Sequence, residues 1–289
     1  SPEELAIHAQ RCGLKAVALT DHDTMEGCPR MATACQAAGV EFIPATELTA
    51  EHEVELHILG YFLDWENERL TVELAKFQRV RQQRIHDMVE RLNRLGLPLR
   101  VETVFELANC RSPGRPHVAR ALVQEKLCGS LDEAFDRFLK KGKPAWVPKY
   151  KMSALEAIEL VHHAGGLAVL AHPGLSRAEE AIPALITAGL DGLECFHTKH
   201  STSMVEHCLQ IAEAHDLLVT GGSDCHGLSK GKPLIGTIRI PYEYVERLRD
   251  RHLKRAIEHG FQIAQRDAAD AIPAGSRPWR DGHSLPNPR

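Results

Sequence analysis

The sequence predicts an α/β barrel, and two observations lead to that prediction. Short runs rich in apolar and β-branched residues alternate with helical stretches, as in parallel strands joined by helical crossovers. Five of these runs end directly on histidines or carboxylates, at 21–23, 47, 172, 194 and 224–226. Crossover loops and strand carboxyl ends share one face of such folds. We therefore expect these side chains to converge on a polynuclear metal site, and a metal-dependent hydrolase is the leading interpretation.

Composition narrows the class of protein. At 289 residues the chain suits one barrel or two smaller domains. Its mean hydropathy of -0.26 is ordinary for a soluble protein, and no apolar run is long enough to span a membrane. The net charge of -4 argues against a stable DNA complex held by charge alone. The eight cysteines include no C-x-x-C pair, so we expect buried free thiols and a cytoplasmic location.

The first predicted elements are a helix from Ser1, a strand to 20, a helix over 25–38 and strands to 46 and over 55–63. Ser1-Pro2-Glu3-Glu4 has the residues of a helix start. Thr24 is predicted to cap the second helix and Gly39 to end it. Because a helix opens at the first residue, we expect residues upstream of Ser1 to have been removed.

Residues 68–140 lack a strand pattern and predict helices over about 68–95, 101–109, 115–127 and 131–140. We interpret this segment as an all-helical insertion that forms a lid. The barrel is then assigned to 1–67 and 141–265, with helices over 153–164 and about 242–259, the last ending at Gly260. Residues 270–289 carry four prolines and no periodicity, which predicts a disordered tail within 266–289.

Metal ligands are predicted where carboxylates and imidazoles follow apolar runs, because both are ligands for divalent ions. Asp224 and His226 are two residues apart, so in an extended strand both would face one site. Glu47 is suited to bridge two ions, although it could instead cap the next segment. A single histidine in an apolar strand, such as His57, is more often a core residue. His172 precedes a proline that restricts its backbone, which suits a fixed ligand.

Together these motifs resemble the PHP (polymerase and histidinol phosphatase) family. The resemblance covers about 1–260 and rests on Leu19-Thr20-Asp21-His22-Asp23, the Glu47 strand, His57-Ile58-Leu59-Gly60, Ala171-His172-Pro173-Gly174 and Gly222-Ser223-Asp224-Cys225-His226. Within the family the chain is most similar to the TrpH-like branch, which includes 3′,5′-nucleotide bisphosphate phosphatases and 5′→3′ exoribonucleases. The resemblance implies a distorted (β/α)7 barrel with three divalent ions. Manganese is the first expectation, and iron, zinc or magnesium are alternatives.

The resemblance also implies roles for the ligands. Glu47 would bridge two ions, His57 and His172 would complete the second ion, His22 and His226 would bind the third, and Asp224 the first. The family's opening Asp-Leu-His-x-His motif is absent. We therefore expect the first barrel strand and three of nine ligands to be missing. The chain as given would then be a poorly metallated or inactive fragment of an active enzyme, with a degenerate protein as the alternative.

The candidates for binding substrate phosphate are Arg115, His117, Lys143 and His200, and the resemblance supplies Lys143 and His200. Arg115 and His117 open a predicted helix, where an anion is favoured. For each of the four, a solvated surface charge is the alternative. The arginines at 79, 81, 84, 91 and 94 are predicted to form an exposed helix face.

The expected reaction is phosphate hydrolysis from nucleoside 3′,5′-bisphosphates or the 5′ ends of short RNA by a metal-bridging hydroxide. Arg115 would neutralise phosphoryl charge, and His200 or His197 would supply a proton. A histidinol-phosphatase-like enzyme and a non-catalytic interaction protein are the alternatives. The sequence leaves the oligomeric state open.

Overall fold

A computed structural model describes residues 1–108, 110–175, 177–227 and 233–270. Its sheet contains the strands β1 Ala16–Leu19, β2 Glu41–His52, β3 Val54–Tyr61, β4 Met152–Ser153, β5 Leu167–Leu170, β6 Gly192–His197 and β7 Leu218–Gly222. The order is β1-β2-β3-β5-β6-β7, and the short β4 pairs with the far half of β2. This curled sheet, with helices packed around it, is a distorted α/β barrel, as the sequence predicted.

Strand direction differs from the prediction of uniformly parallel strands. β1, β2 and β4 are parallel to one another, as are β5, β6 and β7, but β3 is antiparallel to both β2 and β5. One residue, Glu53, with φ of 60°, separates β2 from β3. Such a turn can join only antiparallel strands, because a parallel pair needs a crossover of a dozen or more residues.

The barrel helices are α1 Pro2–Arg11, α2 Cys28–Ala38, α7 Ala154–His163, α8 Ile182–Thr187, α9 Thr202–Ala214 and α10 Glu243–Asp270. Ser1 forms the predicted capping box with Glu4, and Gly39 ends α2 with φ of 67°. The predicted Thr24 cap is wrong. Gly27 precedes α2, and the Thr24 hydroxyl instead accepts a hydrogen bond from the Glu26 N–H.

The last helix is longer than predicted. α10 continues through residue 260 to Asp270, because a single glycine lowers helix stability by only about 1 kcal/mol. Residues 266–270 of the predicted tail are therefore helical, and 271–289 lie outside the described residues.

The helical segment contains α3 Glu68–Arg94, α4 Val101–Ala108, α5 Arg115–Gln124 and α6 Leu131–Ala134, followed by a π-helical turn over Phe135–Leu139. It has its own core, which includes Ile85, Leu122 and Leu139. The barrel core instead includes Leu74 and Phe77, from the first half of α3. Helix α3 therefore belongs to both cores, and the change from one to the other lies between residues 77 and 85.

All eight cysteines are free thiols, of which five are buried, Cys12 and Cys225 are partly buried and Cys110 is exposed. Among the described residues we find no helix with the length and apolarity needed to cross a bilayer.

Candidate metal centre

Glu47 lies within β2 rather than at its end, because residues 47–52 continue to pair with β3. The segment that follows β1 lies beside Glu47. Glu47 N–H donates to the Asp21 carbonyl at 3.2 Å, and Asp23 N–H donates to the Glu47 carbonyl at 3.0 Å. His22 thus forms an isolated parallel bridge with Glu47, and the backbone places these two predicted ligands side by side.

Three imidazoles surround the Glu47 carboxylate. His57 Nδ1 lies 2.6 Å and His172 Nε2 3.1 Å from Oε1, and His22 Nε2 lies 3.7 Å from Oε2. The Glu47 side chain is only 8% exposed. Burial acts to raise the pKa of Glu47, but hydrogen bonds from His172 and His57 hold that pKa well below its usual range. Glu47 is therefore an anion at the centre of the group.

The imidazole pKa values respond to the same environment. Burial lowers the pKa of His22, with Glu47 opposing the shift. Burial also acts to lower the pKa of His172, but the Glu47 carboxylate outweighs it and the pKa is raised. A neutral His22 has a lone pair available for an ion.

Asp224 and His226 form the other side of the pocket. His226 Nδ1 lies 3.4 Å from Asp224 Oδ1, and the His22 and His226 ring centroids are 6.5 Å apart. The two residues follow β7 and are not in it, and Asp224 has φ of 49°. A turn therefore brings them together, and the extended geometry expected from the sequence is wrong.

All six predicted ligands thus lie in one cluster, in which Asp224 and His226 adjoin the His22 side of the Glu47 group. Their rings belong to a row of neighbouring imidazoles with centroids 5.0 to 6.5 Å apart, in the order His226, His22, His57, His172, His197 and His200.

These residues fit a divalent ion. Ligand atoms of His22, Glu47 and His57 lie within 4.8 Å of one another. Four buried ring nitrogens, in His22, His57, His172 and His197, have no hydrogen-bond partner among the described residues. Buried polar atoms are seldom left unsatisfied unless an ion or water completes them. A carboxylate surrounded by imidazoles is also a donor set that manganese, iron and zinc accept.

His197 and His200, the two predicted proton donors, are not equivalent. His197 Nδ1 accepts the Lys199 N–H at 3.2 Å, so the proton of the neutral ring belongs on Nε2, 3.8 Å from Asp224 Oδ2. In His200, Nδ1 faces the Cys195 carbonyl at 2.9 Å and Nε2 accepts the Gly174 N–H at 3.2 Å. The geometry therefore favours His197 as a donor and gives His200 the role of holding a loop.

The predicted phosphate residues are more scattered. Arg115 begins α5, and its guanidinium donates to the Leu139 carbonyl at 3.4 Å. His117 Nδ1 accepts the Gly114 N–H at 3.0 Å, and burial, followed by the charge of Arg120, lowers the pKa of His117 to about 4. Lys143 is exposed in the turn after the π-helical segment, and no described side-chain contact joins it to the imidazoles.

Sequence reasoning missed Arg81. Its Nε donates to Asp23 Oδ2 at 3.0 Å, while Asp23 Oδ1 accepts the Thr49 N–H at 2.7 Å. Asp23 is fully buried, and Arg81 is only 14% exposed. Asp23 adjoins His22, and Thr49 is two residues beyond Glu47, so this ion pair ties α3 to the metal face.

The prediction that five arginines of α3 form an exposed face is therefore wrong for two of them. Arg81 and Arg84 are covered, whereas the other three arginines are exposed. The barrel packs on one side of α3 and the residues near Val147 on the other. Charge spacing along the sequence did not reveal this double coverage.

Glu194 was noticed as a strand-end carboxylate but was given no role. Its Oε2 accepts the N–H of His172 at 2.9 Å, and His172 has a left-handed backbone with φ of 30°. Burial raises the pKa of Glu194 to about 8, although the His172 N–H acts to lower it.

Comparison with known proteins agrees with this geometry. Residues 1–187 match the PHP domain model. The chain is 32% identical over 235 residues to a 5′-3′ exoribonuclease of Haemophilus influenzae, covering 78% of this chain and 84% of that protein. It is 29% identical to a 3′,5′-nucleoside bisphosphate phosphatase of Chromobacterium violaceum, covering 82% and 85%.

A crystal structure from Bifidobacterium adolescentis, described as a metal-dependent phosphoesterase, superposes with a TM-score of 0.78. The two chains share 34% identity, and the match covers 86% of this chain and 90% of that one. The pocket of imidazoles and carboxylates, the distorted barrel and these matches establish that the chain belongs to the PHP domain family.

Proposed function

We propose that this protein, a metal-dependent phosphoesterase of the PHP family, hydrolyses phosphate from nucleoside 3′,5′-bisphosphates and from the 5′ ends of short RNA. The observation that carries the proposal is the buried Glu47 carboxylate with three imidazoles around it, beside Asp224 and His226. The names of the exoribonuclease and bisphosphate phosphatase relatives support this choice of substrate.

Glu47, His57 and His172 would hold one ion, and Asp224, His22 and His226 would serve its neighbours. We infer manganese as the metal and up to three ions. When bound, such ions lower the pKa of water and withdraw charge from phosphoryl oxygens.

His197 would act as the hydrogen-bond donor to substrate. In the described structure its ring is buried, and its Nε2 lies 3.8 Å from Asp224 Oδ2, so this role requires that substrate binding uncover Nε2. Because the Lys199 N–H fixes the tautomer, the proton is held at Nε2, where it could stabilise a phosphoryl oxygen or pass to the departing ribose oxygen.

The helical segment would close over the pocket as a lid. Ser112 donates to the His22 carbonyl at 3.1 Å, and Arg81 pairs with Asp23, so the segment already touches the metal face. Arg115, at the start of α5, would neutralise phosphoryl charge, and Lys143 stays a candidate for the outer part of the substrate.

The test is phosphate release from adenosine 3′,5′-bisphosphate and nucleotide release from 5′-phosphorylated short RNA, with Mn²⁺ added. Glu47→Gln should abolish both activities. The matched control is Glu51→Gln on the same strand, because Glu51 is exposed and pairs with Lys151 at 3.1 Å. Equal activity in the two variants, or histidinol phosphate as the preferred substrate, would overturn the proposal.

A further inference from the structure

Four cations meet where α3 crosses the barrel: Arg81, Arg84, Arg115 and Lys149. Arg81 pairs with Asp23, and Lys149 pairs with Glu55 at 2.8 Å. Arg84 and Arg115 donate only to backbone carbonyls, those of Val147 at 2.8 Å and Leu139 at 3.4 Å. Within the described residues neither forms an ion pair. Four cations against two carboxylates leave two positive charges unbalanced.

Arg84 is the unusual member of this cluster. It is 4% exposed, and one of its terminal nitrogens, Nη2, is buried without a hydrogen-bond partner among the described residues. Burial and the nearby charges of Arg115 and Arg81 lower the pKa of Arg84 to about 10. An unpaired buried guanidinium is costly unless something compensates it, so the cluster is electrostatically incomplete.

The unpartnered guanidinium lines a small cavity, about 10 Å³ in volume, together with Phe77, Val80, Arg81, Lys149 and Tyr150. That volume admits one water, so a larger anion needs the wall to open. Lys149 is 23% exposed, so its side chain is the part of the cavity wall that meets solvent.

The cavity lies close to the metal centre. Glu55 Oε1, which holds Lys149, is also 3.9 Å from His57 Nε2. One carboxylate therefore separates the cationic cluster from a metal ligand. The cationic cluster is thus a neighbour of the metal centre, as a site for a second phosphate of the same nucleotide must be.

We propose that Arg84 and Lys149 form an anion subsite that binds the non-reacting phosphate of the substrate. This inference rests on the proposed function and deepens it. Such a subsite would favour substrates that carry two phosphates on one nucleoside, or a phosphodiester next to the reacting group. It would disfavour simple phosphate monoesters.

The first test measures binding of inorganic phosphate to the metal-free protein by calorimetry at constant ionic strength. Arg84→Met should weaken binding about 10-fold, the loss of one strong charge-assisted hydrogen bond. The matched control is Arg91→Met on the same helix, because Arg91 also donates to a backbone carbonyl, that of Trp146 at 2.6 Å, but is exposed. The control should bind phosphate like the parent protein.

The second test compares kcat/KM for adenosine 3′,5′-bisphosphate with kcat/KM for adenosine 3′- and 5′-monophosphates. Arg84→Met should lower the bisphosphate preference about 10-fold. If that variant does not fold, Lys149→Met should lower the preference in the same direction.

The outcomes separate the two proposals. Unchanged phosphate binding and unchanged preference in the Arg84 variant would show that the cavity holds only water and would overturn the subsite. Arg84-dependent phosphate binding in a protein that hydrolyses none of these nucleotides would instead overturn the proposed function and leave the subsite standing.

Discussion

At the scale of single residues, Glu47 holds the candidate metal centre together. Its two oxygens face imidazoles from a loop, from β3 and from the end of β5. Glu47→Gln removes the anion while keeping the shape. We expect Mn²⁺ or Zn²⁺ affinity to fall by at least about 100-fold, measured by calorimetry. Glu51→Gln is the control, and equal metal affinity in both variants would contradict this role for Glu47.

Glu194 holds His172, one of the six proposed ligands, without being a proposed ligand itself. Its carboxylate accepts the N–H of His172, whose left-handed backbone is otherwise unfavourable. Glu194→Ala should weaken metal binding about 10-fold, in the range seen when groups supporting a ligand are removed. Glu194→Gln keeps an acceptor oxygen and should restore most of the affinity. If Gln fails as badly as Ala while circular dichroism shows an intact fold, the hydrogen bond is not what positions His172.

At the scale of elements, the Asp23–Arg81 pair fixes α3 to the barrel. Arg81→Met would leave the fully buried Asp23 carboxylate with only Thr49 as a described partner. Breaking one side of a buried pair costs about 3–5 kcal/mol, which urea unfolding can measure. Arg79→Met, on an exposed position of the same helix, should be nearly neutral. Adding Asp23→Asn to Arg81→Met should recover part of the loss, and no recovery would mean that Arg81 acts through packing.

Helix α10 is held by a second buried carboxylate, Asp191, which accepts from Arg255 at 2.7 Å, from His162 at 2.8 Å and from Ala168 N–H at 2.8 Å. Burial acts to raise the pKa of Asp191, but these donors outweigh it and the pKa is lowered. A lowered folded pKa gives stability that is present above the unfolded value near 3.9 and is lost as the pH falls through the folded value.

Asp191→Asn should therefore cost about 3 kcal/mol near neutral pH, and the difference from the parent should shrink below about pH 4. Urea unfolding at pH 7, 4 and 3 measures this. The control is Asp216→Asn, because Asp216 pairs with Arg251 of the same helix but is 96% exposed. A difference between parent and Asp191→Asn that stays constant with pH would contradict the linkage.

At the scale of the whole molecule, two separate cores share one helix. Leu122 is fully buried in the core of the helical segment, and Ile158 is fully buried in the barrel core. Either change to Ala should cost about 2–5 kcal/mol. Leu122→Ala should reduce hydrogen-exchange protection mainly within 85–147 and leave β5 to β7 and metal binding intact, whereas Ile158→Ala should reduce protection in the barrel. Uniform loss of protection in both variants would show one cooperative unit.

The sequence by itself determined the fold class and the six residues that the structure gathers at the candidate metal centre. Apolar runs that end on histidine or a carboxylate are local patterns, and the meeting of strand ends on one face of a barrel follows from topology alone. Glu47 and His57 were predicted from the sequence even though they lie within strands, because the family motif does not depend on where strand pairing ends. Helix bounds within 68–140 also followed from local capping and periodicity, to within a few residues.

Only the tertiary structure decided the direction of β3, the burial of Arg81 and Arg84, and the different hydrogen-bond partners of His197 and His200. Each depends on what a residue meets across the fold. α3 is covered on two sides because the barrel and the helical segment both pack on it, so its charge pattern could not reveal which arginines lie inside. The ring of His200 is hydrogen-bonded to the Gly174 N–H and to the Cys195 carbonyl. The hydrogen bond between Glu194 and His172 joins residues that are 22 positions apart in the sequence. Sequence patterns report periodicity and local preference, whereas such partners are fixed by how distant segments pack together.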